Sequence, residues 1–355
     1  MSATLEEVAK AAGVSVTTAS RVLTANKHPV RAATRQRVLK AAERLQYRPN
    51  LLARGMRTER THTIGIIAED LLSPFTPPII RGIQDFLREI DYLALIVNTD
   101  SATTVEQNAI GTLLSRAVEG ILFVELDHLA SIEELAQSQK PYMFVHRLFG
   151  ASITNSVVPD DELGTQMAVE HLIHLGHRKL AHIAGPQGWH SARRRLESFC
   201  DTLAEHQLSL HPDHLAEGDW TYTGGAVAAL RLLNKRVLPT AIYVANDTMA
   251  FGAINALQQQ GLRVPEDIAV VGYDNSEFSR VLHPTLTTVS LPAYEMGLRA
   301  AELLWIKLQG NAVDEQEVKI CGQLYIRESC GAAEAARTQD LPDVGTTTRR
   351  QITES

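Results

Sequence analysis

Apolar residues recur in two rhythms along the chain, and the rhythm changes near residue 60. Before that point the spacing is helical: Leu5, Val8, Ala9 and Ala12 fall on one face. Thr4-Leu5-Glu6-Glu7 in front of them reads as a capping box, and Gly13 behind them supplies the left-handed residue that ends a helix. Ser15 then caps a second helix, Val16 to about Leu23, with Ala19, Val22 and Leu23 inward and Val16, Thr17, Ser20 and Arg21 elsewhere. A third helix, about Ala32 to Gln46, braces the pair through Val38, Leu39, Ala42 and Leu45 and carries Arg35, Arg37 and Lys40.

Pro49 ends that helix, and Asn50 can cap a short one over Leu51 to Arg57. Seven residues with Gly55 in the middle, which costs about 1 kcal/mol relative to alanine, do not hold a helix alone. From Thr63 onward the rhythm becomes that of strands. TIGIIA, LALIVNT, GILFV, YMFV, KLAHIA, AIYVA and IAVVGY are short apolar runs separated by amphipathic segments, which predicts parallel α/β sheets. The pattern restarts near Asp160 to Gly164, so two doubly wound lobes are expected rather than one, with a ligand between them at the carboxyl ends of the strands. The expected organisation is a headpiece over 1–48, a hinge over 49–62 and a two-lobed core over 63–330. The first lobe takes about 63–160 plus 291–321, the second about 161–290 plus 322–330. The tail, 331–355, has no apolar period and no leucine heptads, and is expected to be disordered.

Composition changes the picture through charge. The chain has 355 residues, 45 % hydrophobic and 21 % charged, the balance of a globular protein. Its net charge of -7 is a composite, because residues 1–60 hold 12 Lys and Arg against 4 Asp and Glu while the remainder holds 22 against 37. A basic front end attracts a polyanion and an acidic remainder stands clear of it. Three cysteines at long spacings suggest neither disulfides nor a cysteine zinc site. No membrane-length apolar run or signal-peptide order is evident, so a cytoplasmic protein is expected. His171, His174 and His177 invite a metal, but Gly176 separates the third from the helix of the first two and no acidic or cysteine partner is evident; no metal or cofactor is expected. The phosphate-loop, dinucleotide, zinc-protease and serine-elbow motifs are absent, which argues against an enzyme.

The run TLEEVAKAAGVSVTTASRVL followed by VRAATRQRVLKAAERLQYRPNLLARGMRT resembles the DNA-binding headpiece of the LacI/GalR family of bacterial repressors. The likeness continues to about residue 330 through HLIHLGHRKLAHIAGP, SARRRLESF, EGDW, PTAIYVANDTMAFGA, GLRVPEDIAVVGYDN and PTLTTV. It implies a helix-turn-helix whose second helix enters the major groove. DNA contacts would come from Thr4, Leu5, Ser15, Val16, Thr17, Thr18, Ser20, Arg21, Thr34 and Tyr47, and in the hinge from Asn50, Ala53, Arg54 and Met56. Met56 matches the apolar wedge that members of the family insert at the central minor-groove step, where leucine is usual. Arg31 departs from the family in replacing a serine cap. A homodimer on a pseudo-palindromic operator is implied, since two headpieces need two-fold symmetry.

In the core, Asn246 and Asp274 follow predicted strands, Arg195 offers a planar fork of donors, and Trp220 an aromatic face for a sugar ring. These four match sugar-contacting positions of relatives, with Ser191 and Arg193 nearby. On the first lobe the candidates are Asp70, Phe75 and His146, the last where relatives commonly have aspartate. The implied function is an operator-binding repressor controlled by a small saccharide. Alternatives are a purine or other metabolite as co-repressor, a protein co-repressor, a solute-binding protein and, last, an enzyme.

Overall fold

The computed structural model describes residues 3–23, 30–47, 60–125, 135, 137–146, 155–312 and 317–332. The headpiece holds α1 (Leu5–Ala12), α2 (Val16–Leu23) and α3 (Ala32–Arg44). The capping box on α1 forms, with Thr4 N–H donating to Glu7 at 2.8 Å and Glu7 N–H to Thr4 at 3.3 Å, and Gly13 closes the helix at φ 61°. The Thr18 amide donates to the Ser15 hydroxyl at 3.2 Å, which starts α2. Arg31 stands at the start of α3 with no side-chain cap. Val8, Ala9, Ala12, Ala19, Val22, Val38, Ala41 and Ala42 form the small core that these helices share. Leu39, expected inward, is 48 % exposed, and Ala41 takes the inward position instead.

Two six-stranded sheets make up the rest. The first has the order β11-β5-β4-β3-β1-β2 and the second β12-β10-β9-β8-β6-β7. The first comprises β1 (Thr63–Ala68), β2 (Leu93–Asn98), β3 (Gly120–Val124), β4 (Tyr142–Val145), β5 (Ser156–Pro159) and β11 (Glu317–Ile320). The second comprises β6 (Leu180–Ala184), β7 (Leu215–Glu217), β8 (Ala241–Val244), β9 (Ala269–Asp274), β10 (Thr287–Ser290) and β12 (Leu324–Tyr325). The chain therefore crosses between sheets after β5, after β10 and after β11. Among the described residues all strand pairs are parallel except one: β12 runs antiparallel to β10, which corrects the expectation of purely parallel lobes. A two-residue edge strand entering from a crossover needs no helix to reverse it.

The strands read as continuous Val/Ile runs because both faces are covered by helices. In the first sheet α4 (Thr76–Glu89) and α10 (Ala293–Leu308) pack together, and in the second α8 (Tyr222–Leu233) and α9 (Asp247–Gln259) do. Each pair touches backbone to backbone through reciprocal glycines. A Cβ on Gly82 would overlap Tyr294 O and one on Gly297 would overlap Ile79 O; Gly225 and Gly252 stand in the same relation to Met249 O and Tyr222 O. Further α-helices are α5 (Thr103–Ser115), α6 (Asp161–His174) and α7 (His190–Glu205). Pro77 and Pro78 occupy the first turn of α4, where a missing N–H costs nothing.

Candidate ligand cleft and DNA-reading helix

The carboxyl ends of both sheets face a cavity of about 320 Å³. Its first wall follows β1, β3 and β4: Asp70, Phe75, Glu125 and His146. Its second wall follows β7, β8 and β9 and the start of α7: Ser191, Arg195, Trp220, Asn246 and Asp274. Thus eight of the nine candidates named from the sequence meet in one place. The ninth, Arg193, does not line the cavity. It is exposed, and its guanidinium donates to the Gln187 and Gly188 carbonyls at 3.1 and 3.4 Å.

Arg195 is 4 % exposed and held on three sides. Its Nε donates to Asp161 at 2.8 Å, its NH1 to the Ala245 carbonyl, and its guanidinium carbon lies 3.6 Å from the Tyr273 ring centroid. Asn246 does two jobs: its Oδ1 accepts from Met249 N–H at 2.9 Å, capping α9, while its Nδ2 donates to the Trp220 carbonyl at 3.2 Å. Trp220 packs against the second lobe's core and against Trp189 edge-on, with centroids 5.8 Å apart, and its indole N–H is buried without a partner. Gly185 lets that ring approach; a Cβ there would overlap it. Both the core role and the cavity-lining position of Trp220 therefore hold at once.

The first wall is built around a carboxylate. Glu125 receives His146 Nδ1 at 3.1 Å, Ser73 Oγ at 3.2 Å and the Thr76 hydroxyl. Burial alone would raise its pKa, but those hydrogen bonds and the His146 ring outweigh burial and leave it below the usual value. Phe75 stands edge-on to His146 at 5.5 Å. On the second wall Asp274 is pushed well above the carboxylate range by desolvation first, against the pull of Arg195 and with a push from Asp247 and Asp161. Asp247 behind it, held by Thr288 Oγ1 at 2.6 Å and Ser276 N–H at 2.7 Å, is raised to about 7 by burial.

Five cavity residues have left-handed backbones although none is glycine: Ser101, Glu125, His146, Trp220 and Asp274, at φ 59°, 58°, 53°, 69° and 120°. Each stands at or just past a strand's carboxyl end. Such conformations cost about 1–3 kcal/mol each and persist where the surroundings over-determine them, as binding sites do. Sequence reasoning did not assign Glu69, Ser73, Ser101, Glu125 and Trp189 to the site. The position of Glu125 directly after the GILFV strand was the available signal, the same one that singled out Asp274.

On α2 the residues assigned to DNA form one accessible face. Ser15, Val16, Thr17 and Arg21 are exposed and Thr18 and Ser20 half-buried; Thr4 is exposed, and Leu5, Thr34 and Tyr47 are half-buried. Asn50, Ala53, Arg54 and Met56, with the whole expected hinge helix, and the tail from 333 onward lie outside the described residues. Among the described residues no cluster of His, Cys, Asp or Glu could hold a metal ion, and no helix is long and apolar enough to cross a membrane.

Residues 4–50 match the family of bacterial regulatory proteins, lacI family, and residues 169–330 match the periplasmic binding protein-like domain. Catabolite control protein A of Priestia megaterium is 34 % identical over 334 residues, 93 % of this chain and 99 % of that protein. The chain belongs to the lacI family. The HTH-type transcriptional repressor CytR of Escherichia coli (strain K12) is 34 % identical over 333 residues, covering 93 % of this chain and 97 % of CytR. Among solved structures, the lac repressor dimer bound to operator and the anti-inducer ONPF superposes with a TM-score of 0.79 at 33 % identity, over 93 % of this chain and 99 % of that one. As lacI-family regulators go, this one carries the whole arrangement of headpiece and two-sheet core.

Proposed function

We propose that the chain is a sequence-specific DNA-binding transcriptional repressor whose hold on its operator is set by a small saccharide bound between the two lobes. One observation carries the reading. A single chain joins an exposed polar and apolar face on α2 to a cavity that gathers Arg195, Trp220, Asn246 and Asp274 at the strand ends of two sheets. Val16 and Thr17 read base edges in the major groove, while Ser15, Thr18, Ser20 and Arg21, with Thr4, Leu5, Thr34 and Tyr47, fix the register on the backbone. Asn50, Ala53, Arg54 and Met56 serve the minor groove as a hinge. The headpiece is 1–48, the hinge 49–62 and the core 63–330, divided as 63–160 plus 291–321 and 161–290 plus 322–330.

In the cleft, Asp274, Asn246 and Arg195 fix neighbouring hydroxyls and Trp220 covers an apolar ring face; Asp70, Phe75, His146 and Ser191 complete the contacts, and Arg193 supports the loop before α7. The working form is a homodimer on a pseudo-palindrome in the cytoplasm, without catalysis. Exposed Leu93 and Ile96 on the edge strand β2 and Phe278, Val281 and Leu282 after β9 support an apolar surface for a second copy. The saccharide acts by preferring one arrangement of the lobes, and changes DNA affinity only by that preference. The test is Asp274→Ala. It should abolish the response of DNA binding to the saccharide and leave DNA affinity itself intact; a normal response would place the effector elsewhere.

A further inference from the structure

Away from the cleft, at the amino ends of the first sheet, a buried carboxylate holds the place where the chain arriving from the headpiece enters β1. Glu119, 9 % exposed, accepts the His62 N–H on Oε1 at 2.7 Å and the Tyr92 hydroxyl on Oε2 at 2.8 Å. The His62 carbonyl accepts the Leu93 N–H at 2.9 Å, and the Thr61 hydroxyl donates to the Ala117 carbonyl at 2.7 Å. His62 keeps a left-handed backbone, φ 51°, without being glycine, a conformation that lasts only where the surroundings fix it. Its ring lies 4.9 Å from that of Tyr92, which stands edge-on to Trp305 at 5.4 Å in the last turn of α10. Burial first and Glu119 second raise the Tyr92 pKa, with Arg60 opposing them, so the phenol stays a donor. The direction of the chain at residues 60–62 is thereby tied to the first lobe.

We infer that Glu119, with Tyr92, is a positioning residue for DNA binding: it lies outside the cavity and acts on DNA only through the chain it aims, the segment of Asn50, Ala53, Arg54 and Met56 and the headpiece beyond. This rests on the reading of the protein as an operator-binding homodimer. Leu93, whose amide holds the His62 carbonyl, is 64 % exposed at the start of β2, on the surface proposed for the second copy. In a dimer joined there, the two anchored exits stand at a set separation. Once one headpiece is seated, the other meets its half-site at a high effective concentration, and that concentration falls when the exits swing freely. Half-sites at the wrong spacing draw no benefit from the set separation, so the anchor matters for the operator and little for them.

The test is fluorescence anisotropy of the full chain, at one salt concentration, on a duplex enriched from a random pool by the wild-type protein and on the same duplex with two base pairs added between its half-sites. The expected result for Glu119→Ala is operator binding weakened by about tenfold or more and binding to the lengthened duplex within about twofold, so the preference for one spacing narrows. Glu119→Gln, whose amide oxygen accepts from the His62 N–H and whose amide nitrogen donates to the Tyr92 oxygen, restores the preference. Tyr92→Phe keeps the ring packing, removes one bond and narrows the preference by about threefold, and it decides the matter if Glu119→Ala does not fold. Equal losses on both duplexes overturn the inference and leave the repressor reading standing. So does a full preference kept by Glu119→Ala, or by Tyr92→Phe where Glu119→Ala does not fold. Enrichment of no duplex by the wild-type protein overturns the repressor reading and the inference with it.

Discussion

Asp161 and Arg195 form an ion pair, Nε to Oδ1 at 2.8 Å, with side chains only 5 % and 4 % exposed. The pair ties the first turn of α6 to α7 beneath the cavity and holds the guanidinium carbon over the Tyr273 ring. Two charges taken out of water are tolerated only while both remain, because either one alone is an uncompensated buried charge. Asp161→Ala should therefore lower unfolding stability by about 3–5 kcal/mol, and Asp161→Leu combined with Arg195→Met should recover most of it. Denaturant midpoints of the three proteins decide. A single variant as mild as a surface substitution would show that the pair is not what holds α7.

Gly185 against Trp220 gives a purely steric prediction. The ring occupies the space a methyl group would need, so Gly185→Ala must displace Trp220 from the cavity wall. Affinity for the saccharide should fall by tenfold or more while DNA affinity without saccharide stays within twofold. Calorimetry on the variant tests this, and unchanged saccharide affinity would remove Trp220 from the contact set.

His182 makes stability depend on pH. It is fully buried between Phe199 and Tyr243, ring centroids 5.0 Å from each, donates from Nδ1 to the Tyr243 carbonyl at 3.0 Å, and has no partner on Nε2. Burial lowers its pKa to about 4. The folded chain thus keeps it neutral while the unfolded chain protonates it near 6.5, so its stabilising contribution is complete above about pH 6.5 and is lost as pH falls toward 4. The loss amounts to roughly 3 kcal/mol across that window. His182→Phe, which keeps a ring in the stack, should flatten the decline between pH 7 and pH 4.5; an equal decline in both proteins would contradict the assignment.

Val16 is 43 % exposed at the start of α2, so it packs little of the headpiece. Val16→Ala should leave thermal stability within about 0.5 kcal/mol and yet weaken specific binding by about 1–3 kcal/mol, with nonspecific binding unchanged. Affinities for operator and random DNA at one salt concentration measure the difference. Equal losses on both would assign Val16 to the backbone rather than the bases.

How much of this was visible in the sequence follows from the physics of each element. The doubly covered strands β1, β3, β6, β8 and β9 announce themselves as Val/Ile runs because burial on both faces requires them. The strands SVVP, LAE, TTVS, EVKI and LY did not. Three of them are edges or crossings, only two to four residues long, whose place is fixed by the partner strand rather than by their own pattern. The half-site on the second lobe was legible because Asn246 and Asp274 follow strong strands. Glu69 and Ser73 were not, because a loop side chain's direction is set by the backbone after β1 and leaves no periodic trace. Leu39 misled for a related reason: on a helix packed by alanines, a leucine one residue away from the inward face looks like core.

The most direct test of the account is reciprocity. Fluorescence anisotropy of the full chain on operator DNA, at one fixed salt concentration, gives the DNA affinity with and without a saturating saccharide; calorimetry gives the saccharide affinity with and without DNA. If the cleft controls the headpiece, the two affinities change by the same factor, and Asp274→Ala brings both factors to one. A saccharide that fills the cleft tightly and leaves DNA affinity unchanged would contradict the coupling on which the account depends.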